Sequence, residues 1–582
     1  MVAFRSQTRE GMRVEWDVPI PMDDGLDLRC DIFRPLKDGR YPVIMAMGPY
    51  AKWMHYKDLF IDQWTPLETE HPEVLADNTG RYDVYEQLNP ERFVPDGYVV
   101  IRIDSRGAGR SPGFLEIWSA REAQDYFNCI EWAADQPWSN GKIGLSGISY
   151  LAMNQWQVAA LQPPHLSAMF IFEGAADYYR DMTYHGGIFC TFGRALYGPA
   201  IVSVQNGRGS RGYRSRITGD WVSGPDTLTE EELSANRLDW YRETLDHKFA
   251  NDEFWTSRMP DFSKINVPFV SAGNLGGHGL HLRGNVEGFM QSASKQKWLE
   301  LHGLEHWTEY YTDYGVDLQK RFFGHFLKGE DTAWLKQPRI QIQVRHPGDR
   351  FVQRHEDEWP IARTNWTKFY LAPQGLRLQP TPLTSEATVT YKGISDGLVF
   401  LSDPLEADTE ITGPSVVKLF ASSSTEDADI FIVLRAFSPD LKEVTFTGMT
   451  DPHTAITHGW LRASRRKLDK SRSTPHRPYH THDQDQKLKP GEIVELDIEV
   501  LSTSVALPKG YRIGLAVRGK DYVYGGGAGR AIRFQGGQFT GVGGFRHDEG
   551  ADRLTKVFNG DVTLHFGAGR PAYVELPIVP SK

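Results

Sequence analysis

Two serines lie close enough to a predicted strand end that either could act as a nucleophile. They stand three residues apart in the stretch GKIGLSGISYLAMNQW (residues 141–156), and each is two residues after a glycine. A nucleophilic serine needs the tip of a sharp strand-to-helix turn, with small flanking residues because the backbone there is strained. Ser146 falls inside the predicted strand, whereas Ser149 directly precedes the predicted helix. This placement favours Ser149, although neither serine fits a strict G-x-S-x-G pattern, and both can alternatively be small packing residues.

A serine nucleophile also needs a base and donors for a developing oxyanion. In proteins with this kind of serine turn, the catalytic groups follow in the order serine, acid, histidine. The late stretch WLELHGLEHWTEYY offers His306 in a loop and His302 close to the strand end, where a packing role is more common. The backbone N–H of Tyr150, directly after the nucleophile, is one oxyanion donor, and Tyr50 at the end of MAMGPY is a candidate for the second.

Buried apolar runs alternate with amphipathic helices over the first part of the chain. Strands are predicted at YPVIMAMG, YVVIRID, GKIGLSGIS, LSAMFIFEG, KINVPFVSAGN and QKWLELHG, with helices such as REAQDYFNCIEWAADQPW between them. Continuous apolar strands separated by helices are typical of a doubly wound, mostly parallel sheet that is covered on both faces. The sequence therefore predicts an α/β fold for this region.

The rhythm changes twice along the chain. Between about 180 and 258 the sequence is aromatic-rich, and TLTEEELSANRLDWYRETLDHKF indicates a helix capped by Thr227 or Thr229. From about 338 the pattern is β only, as in IVELDIEV (493–500), where apolar and acidic residues alternate. We predict an α/β domain in two parts (1–179 and 259–335), an inserted helical cap (180–258) and a β-sandwich or jelly-roll domain (338–582).

Composition excludes several classes of protein. The chain of 582 residues has a net charge of -10, which argues against a nucleic-acid partner. No apolar run approaches the length of a membrane span, which is roughly 18–20 residues, and the first residues lack the apolar core of a signal peptide. The cysteines, Cys30, Cys129 and Cys190, are few and widely separated, so we expect reduced thiols in a cytoplasmic protein.

No cofactor or metal is predicted from the local motifs. Neither His-Glu-x-x-His nor paired Cys-x-x-Cys occurs, and these are the usual short signals for zinc. His278 and His281 could line a pocket, although loop histidines more often pack or face solvent. The stretch HTHD (480–483) stands in a polar loop and indicates metal binding only weakly.

Taken together, the motifs resemble the bacterial cocaine esterase and X-Pro dipeptidyl-peptidase family of serine hydrolases. That family includes acyl esterases, glutaryl acylases and α-amino acid ester hydrolases. The resemblance rests on GPY, IDSRGAGRSPG, WSNGKIGLSGISYLAMNQW, LHGLEHW and the β-only tail. It implies an α/β-hydrolase fold with a helical cap and a C-terminal jelly roll. It also implies Ser149 as nucleophile, His306 as base, and the Tyr50 hydroxyl as an oxyanion donor.

The implied activity is hydrolysis of a small-molecule carboxylic ester or acyl amide through an acyl-enzyme on Ser149, without a cofactor. Two alternatives remain. One is an X-Pro dipeptidyl aminopeptidase. The other is a degenerate scaffold that no longer catalyses a reaction and carries a binding jelly roll.

One position departs from the family pattern. The resemblance implies an aspartate where SAGNLGGHG has Gly276. Glu173, at the carboxyl end of the strand AMFIFEG, can substitute for it, and we predict a hydrogen bond of roughly 2.6–3.2 Å from His306 Nδ1 to its carboxylate. Asp177 is a second candidate, Glu305 is too close in sequence to His306 to reach its ring, and a site without an acid is the remaining possibility. If Glu173 takes no part, we expect it to pair with an arginine such as Arg180.

Overall fold

The computed structural model describes residues 5–526 and 541–580 of the chain. Its strands are β1 Arg5–Arg9, β2 Met12–Pro21, β3 Asp27–Pro35, β4 Tyr41–Gly48, β5 Val99–Asp104, β6 Ser139–Ile148, β7 Leu166–Phe172, β8 Tyr184–His185, β9 Ile188–Phe189, β10 Phe269–Asn274, β11 Lys297–His302, β12 Ile340–His346, β13 Arg350–Glu356, β14 Asn365–Ala372, β15 Arg377–Gln379, β16 Ala387–Lys392, β17 Leu398–Ser402, β18 Thr409–Ser423, β19 Asp429–Phe437, β20 Glu443–Val444, β21 Thr457–Arg462, β22 Val494–Leu507, β23 Arg512–Arg518, β24 Asp561–Phe566 and β25 Tyr573–Ile578. Its α-helices are α1 Tyr56–Leu59, α2 Ile61–Glu70, α3 Pro90–Phe93, α4 Ala120–Ala134, α5 Tyr150–Ala160, α6 Phe192–Leu196, α7 Glu230–Ala235, α8 Trp240–Asp246, α9 Glu253–Thr256, α10 Leu282–Gln291, α11 Thr308–Tyr311, α12 Asp313–Phe323 and α13 Thr555–Phe558.

The first part of the chain builds a mostly parallel sheet. Its strands lie in the order β2-β3-β5-β4-β6-β7-β10-β11, antiparallel at β2–β3 and β3–β5 and parallel from β5 onward. The carboxyl ends of β4, β6, β7, β10 and β11 therefore meet at one edge of the sheet. In sheets of this kind, ligands bind at that edge.

Strand residues alternate between two cores, which is why these strands are apolar on both faces. In β7, Phe170 and Phe172 belong to one core, and Met169 and Ile171 to the other. Helix α4 packs on the second core, while α12 packs on the first. The sheet is thus covered on both sides, as its apolar strands predict.

The aromatic-rich middle segment folds into short helices and loops, α6 to α9, with the two-residue strands β8 and β9. The single helix expected over the stretch TLTEEELSANRLDWYRETLDHKF is instead two helices, α7 and α8. Thr229 begins α7 with a reciprocal capping box to Glu232, and Asn236 ends it. The Asp239 side chain then caps α8, so the capping residues between the two segments end one helix and begin the next.

The remainder of the described chain is almost entirely β. Strands β12 to β25 follow one another from residue 340, with α13 as the one α-helix among the described residues of this part. The predicted alternation in β22 is present, because Val494, Leu496, Ile498 and Val500 are buried while Glu495 is exposed. The two parts are joined by strand pairing, since β12 runs parallel to β11.

Across residues 5–526 and 541–580, we find no helix with the length and apolar character needed to cross a bilayer.

Candidate active site

Ser149 stands at the junction between β6 and α5. β6 ends at Ile148 and α5 begins at Tyr150, and Ser149 between them has φ 58° and ψ -119°. Positive φ is unfavourable for a residue with a side chain and marks a strained position. The Ser149 N–H donates to the Phe172 carbonyl at 3.0 Å, which ties the turn to the end of β7.

The small residue before the turn is required by close packing. A Cβ on Gly147 would lie 2.6 Å from the Leu151 Cβ, a distance that only glycine avoids. The bend at Ser149 can therefore pack the first turn of α5 against the end of β6. This is the local geometry that exposes a nucleophilic serine in a strand–turn–helix element.

Ser146 lies inside β6 and its hydroxyl is already used. It makes hydrogen bonds of 2.9 Å to the Tyr310 hydroxyl and 2.9 Å to the Gln319 side chain, and it is buried. These contacts join the strand to α11 and α12. The environment of Ser146 is that of a structural residue.

Two tyrosines flank Ser149. Tyr50 follows β4, and its hydroxyl is close enough to the Ser149 side chain to interact with it. Burial and the nearby Glu86 raise the pKa of Tyr50 well above its ordinary value, so the hydroxyl keeps its proton. Tyr150 is the first residue of α5, where backbone N–H groups have no acceptor within the helix. Its own hydroxyl donates to Glu122 at 2.5 Å, which anchors the start of the helix.

His306 lies in the loop between β11 and α11. Its backbone N–H donates to the Met449 carbonyl at 3.0 Å, so a loop of the C-terminal part fixes its position. The ring nitrogen Nε2 lies 3.0 Å from Glu86 Oε1, and the buried Nδ1 has no hydrogen-bond partner. Burial lowers the pKa of His306 well below its ordinary value, and the charges of His281 and His302 act in the same direction. A neutral ring of this kind can accept a proton.

Glu86 is a part of this site that the sequence analysis did not identify. Its carbonyl accepts the Ile148 N–H at 3.1 Å, so it lies beside the residue that precedes Ser149. Burial raises the pKa of Glu86 well above its ordinary value, which favours the protonated acid. Glu86 belongs to a loop without an apolar period or motif, and nothing in the local sequence distinguishes it from a surface glutamate.

The predicted hydrogen bond between Glu173 and His306 is wrong. Glu173 Oε1 pairs with Nε2 of His302 at 2.8 Å, and Glu300 takes the other ring nitrogen at 2.6 Å. All three side chains are buried. Burial alone would lower the pKa of His302, but the two carboxylates outweigh it and raise that pKa to about 10. Glu173 therefore pairs with the charged imidazole of His302 rather than with the neutral one of His306.

Glu173 is nevertheless close to His306. It follows β7 with φ 56°, and its backbone N–H donates to the Ala272 carbonyl at 2.7 Å. One side-chain oxygen, Oε2, is buried without a partner. Ligand-type atoms of Glu173, His281 and His306 lie within 4.8 Å of one another. The carboxylate thus faces the histidine loop without a direct bond to His306.

The loop of Gly276 explains why no acid stands there. A Cβ on Gly276 would lie 2.3 Å from the Cα of Gly448 in the C-terminal part, so a side chain at this position is sterically excluded. A Cβ on the neighbouring Gly277 would lie 3.6 Å from Glu173 Oε2. The Glu173 carboxylate is therefore next to the place where the resemblance implies an aspartate.

The remaining candidates have other contacts. Asp177 pairs with Arg180 at 2.6 Å, so the expected alternative pairing of Arg180 with Glu173 does not occur. Glu305 accepts the Thr308 hydroxyl at 2.9 Å. His278 is buried and borders two small cavities, one of which is shared with His480 and His482 of the HTHD stretch.

This combination of sheet, strained serine, tyrosine hydroxyl and neutral histidine defines a serine hydrolase. A family model described as X-Pro dipeptidyl-peptidase (S15 family) matches residues 24–308, and one described as X-Pro dipeptidyl-peptidase C-terminal non-catalytic domain matches residues 332–575. The chain belongs to the cocaine esterase and X-Pro dipeptidyl-peptidase family of hydrolases.

Individual relatives match over nearly the full length. Cocaine esterase from Rhodococcus sp. is 23% identical, over 97% of this chain and 98% of its own. A putative Xaa-Pro dipeptidyl-peptidase from Streptomyces avermitilis is 24% identical, over 89% of this chain and 80% of its own. A solved CocE/NonD family hydrolase from Staphylococcus aureus is 31% identical with a TM-score of 0.83, over 98% of this chain and 94% of its own.

Proposed function

We propose that the protein hydrolyses small carboxylic esters, or acyl amides, through an acyl-enzyme on Ser149. The strained position of Ser149 at the strand–helix junction, with the Tyr50 hydroxyl beside it, is the observation that carries this proposal. The esterase names of several relatives support an ester as substrate. In the same proposal the C-terminal β domain is a jelly roll whose Gly448–Met449 loop holds the histidine loop in place.

The reaction follows from the side chains around Ser149. Its Oγ attacks the acyl carbon while His306 accepts the hydroxyl proton, and the carbonyl oxygen becomes an oxyanion. The Tyr50 hydroxyl and the Tyr150 N–H donate to that oxyanion. His306 then returns the proton to the leaving alcohol. Water attacks the acyl-enzyme by the same route and releases the acid, so no cofactor takes part.

Glu173 is proposed to supply the negative charge that stabilises the imidazolium of His306. Its proximity, within 4.8 Å, and its free oxygen Oε2 support this role. The charge acts through space in the substrate-free protein.

A fluorophosphonate probe tests the nucleophile directly. We expect covalent labelling of a single peptide at Ser149 and none in Ser149→Ala, whereas a scaffold without catalytic function would not react. The mechanism also requires His306 Nε2 to leave Glu86 when the site is occupied. A crystal structure of the labelled protein in which Glu86 still bonds that nitrogen would contradict this step.

The three cysteines are buried free thiols, and this supports our proposal that the protein is cytoplasmic. The X-Pro dipeptidyl aminopeptidase remains the second candidate because both family models carry that description. Both candidates share the nucleophile, so substrate choice must separate them. Faster turnover of an Ala-Pro p-nitroanilide than of a p-nitrophenyl ester would favour the peptidase.

Replacing Tyr50 with phenylalanine should lower kcat by a factor of about 10²–10³ with little change in KM. The hydroxyl donates to an oxyanion that exists only in the transition state and the intermediate, so ground-state binding is spared. Steady-state kinetics on a p-nitrophenyl ester measure both constants. Tyr85→Phe is a matched control, because Tyr85 packs its ring against Tyr50 at 5.2 Å. An unchanged kcat in Tyr50→Phe would remove this hydroxyl from the mechanism.

A further inference from the structure

Three buried side chains at the carboxyl edge of the sheet each present one unused atom. These atoms are Oε2 of Glu173, Nε2 of His281 and Nδ1 of His306, and none has a hydrogen-bond partner. Glu173 and His281 are 0% exposed, and His306 is 4% exposed. Buried polar atoms without partners are uncommon in folded proteins and call for an explanation.

The three residues face a common point. Ligand-type atoms from all three lie within 4.8 Å of one another, and the rings of His281 and His306 stack with centroids 5.0 Å apart. Two imidazoles and one carboxylate form a donor set used for zinc and similar ions, with one position left open. The ligands come from three separate loops, after β7, before α10 and after β11.

In each of the three residues, an atom other than the proposed ligand atom is held by a hydrogen bond, as is usual for metal ligands. His281 Nδ1 lies 3.1 Å from the Gly174 carbonyl and donates to it, which leaves the lone pair on Nε2. When His306 Nε2 carries the ring proton and donates it to Glu86 Oε1, 3.0 Å away, the Nδ1 lone pair is available. Glu173 is oriented by His302. Partners of this kind fix the tautomer and orientation of metal-binding side chains.

The local charge also suits a cation. Acidic side chains outnumber basic ones here, because Glu173 and Glu300 both pair with His302.

We propose that Glu173, His281 and His306 bind a divalent transition-metal ion of the Zn²⁺ type, and that the bound ion inhibits the hydrolase. Coordination at Nδ1 leaves the remaining ring proton of His306 on Nε2. That nitrogen then cannot accept the proton of Ser149. The inhibition rests on the proposed function, whereas the binding does not.

A second cluster of potential ligands offers a less suitable site. His185, Cys190 and His547 also have ligand atoms within 4.8 Å of one another. However, His185 Nδ1 and His547 Nε2 are hydrogen-bonded to each other at 2.9 Å, and Asp521 takes the other nitrogen of His547. This cluster would bind through sulfur, which gives the two sites different spectroscopic signatures.

Titration of metal-free protein with Zn²⁺ tests binding, using a chromophoric chelator as competitor. We expect one equivalent to bind in the wild type and the affinity to fall by at least about 10²-fold in His281→Phe. His278→Phe is the matched control, because His278 is a buried histidine of the same loop that is not among the three ligands. X-ray absorption of the zinc-loaded wild type should show two imidazoles and no sulfur, a result that does not depend on the folding of a variant.

Activity is measured separately, as the ratio of rates with and without Zn²⁺ for each protein. We expect Zn²⁺ to inhibit the wild type and His278→Phe, and His281→Phe to resist inhibition. Absence of stoichiometric binding, sulfur ligation, or equal affinity in His281→Phe would overturn the site. Binding without inhibition would overturn the inhibitory role. A protein that binds Zn²⁺ but has no hydrolase activity would refute the proposed function and leave the metal site intact.

Discussion

Replacing Ser149 with alanine is expected to reduce turnover of a p-nitrophenyl ester by a factor on the order of 10⁶, leaving only the residual rate that substrate binding and the oxyanion donors provide. The acyl-enzyme cannot form without the Oγ atom, and no other described hydroxyl occupies the strained turn after β6. The alanine side chain is no larger than that of serine, so the turn should keep its conformation. Ester hydrolysis followed at 405 nm, with circular dichroism to verify folding, measures the effect.

Ser146→Ala is the control for this experiment. Its hydroxyl bonds to Tyr310 and Gln319 inside the protein, so its removal should cost about 1–3 kcal/mol of stability and leave most of kcat. The two variants thus separate catalysis from packing within one short stretch. An inactive Ser146→Ala together with an active Ser149→Ala would show that the nucleophile was misassigned.

Features that depend on local sequence could be predicted. The alternating burial of β22 follows from a period of two, and the turn at Ser149 follows from small residues between a strand and a helix. Both are decided by neighbours in the chain. The break between α7 and α8 was local too, because Asn236 and Asp239 were visible as cap residues, but the helical period around them masked the interruption.

Features that depend on distant parts of the chain could not be predicted. The pairing of Glu173 with His302 requires knowing that Glu300 and burial together favour a charged imidazole. Glu86 and His281 reach the site through loops whose paths leave no periodic signal. The exclusion of a side chain at Gly276 is caused by Gly448, more than 170 residues later in the sequence. From the sequence alone, this glycine therefore resembled the loss of a catalytic acid, although close packing requires it.

The C-terminal part therefore shapes the site although it supplies none of the proposed catalytic groups. Its loop at Gly448 and Met449 packs on the glycine at position 276 and accepts the backbone N–H of His306. The first contact excludes a carboxylate at position 276. Glu173, which follows β7, is the proposed substitute, and its contribution is open to a direct test.

Glu173→Gln should lower kcat by a factor on the order of 10³–10⁴ if its charge stabilises the imidazolium of His306. Glutamine keeps the size of the side chain and an acceptor for His302, so the change removes mainly the negative charge. Kinetics should be measured with a chelator present, because a bound metal ion at the same residues would change the wild-type rate. KM should change little, since the charge acts after the substrate has bound.

Glu300→Gln is the matched control, and it separates two explanations of such a loss. Both carboxylates pair with His302, Glu173 at 2.8 Å and Glu300 at 2.6 Å. Of the two, Glu173 also has a ligand-type atom within 4.8 Å of such atoms of His306 and His281. Either substitution weakens the charged pairing of His302, whose pKa is raised to about 10, and both should therefore lower the melting temperature at pH 7. A loss of kcat confined to Glu173→Gln would assign the effect to His306. Equal losses of kcat in the two variants would mean that Glu173 acts only by holding His302. An undiminished kcat in Glu173→Gln would show that His306 does not need this acid.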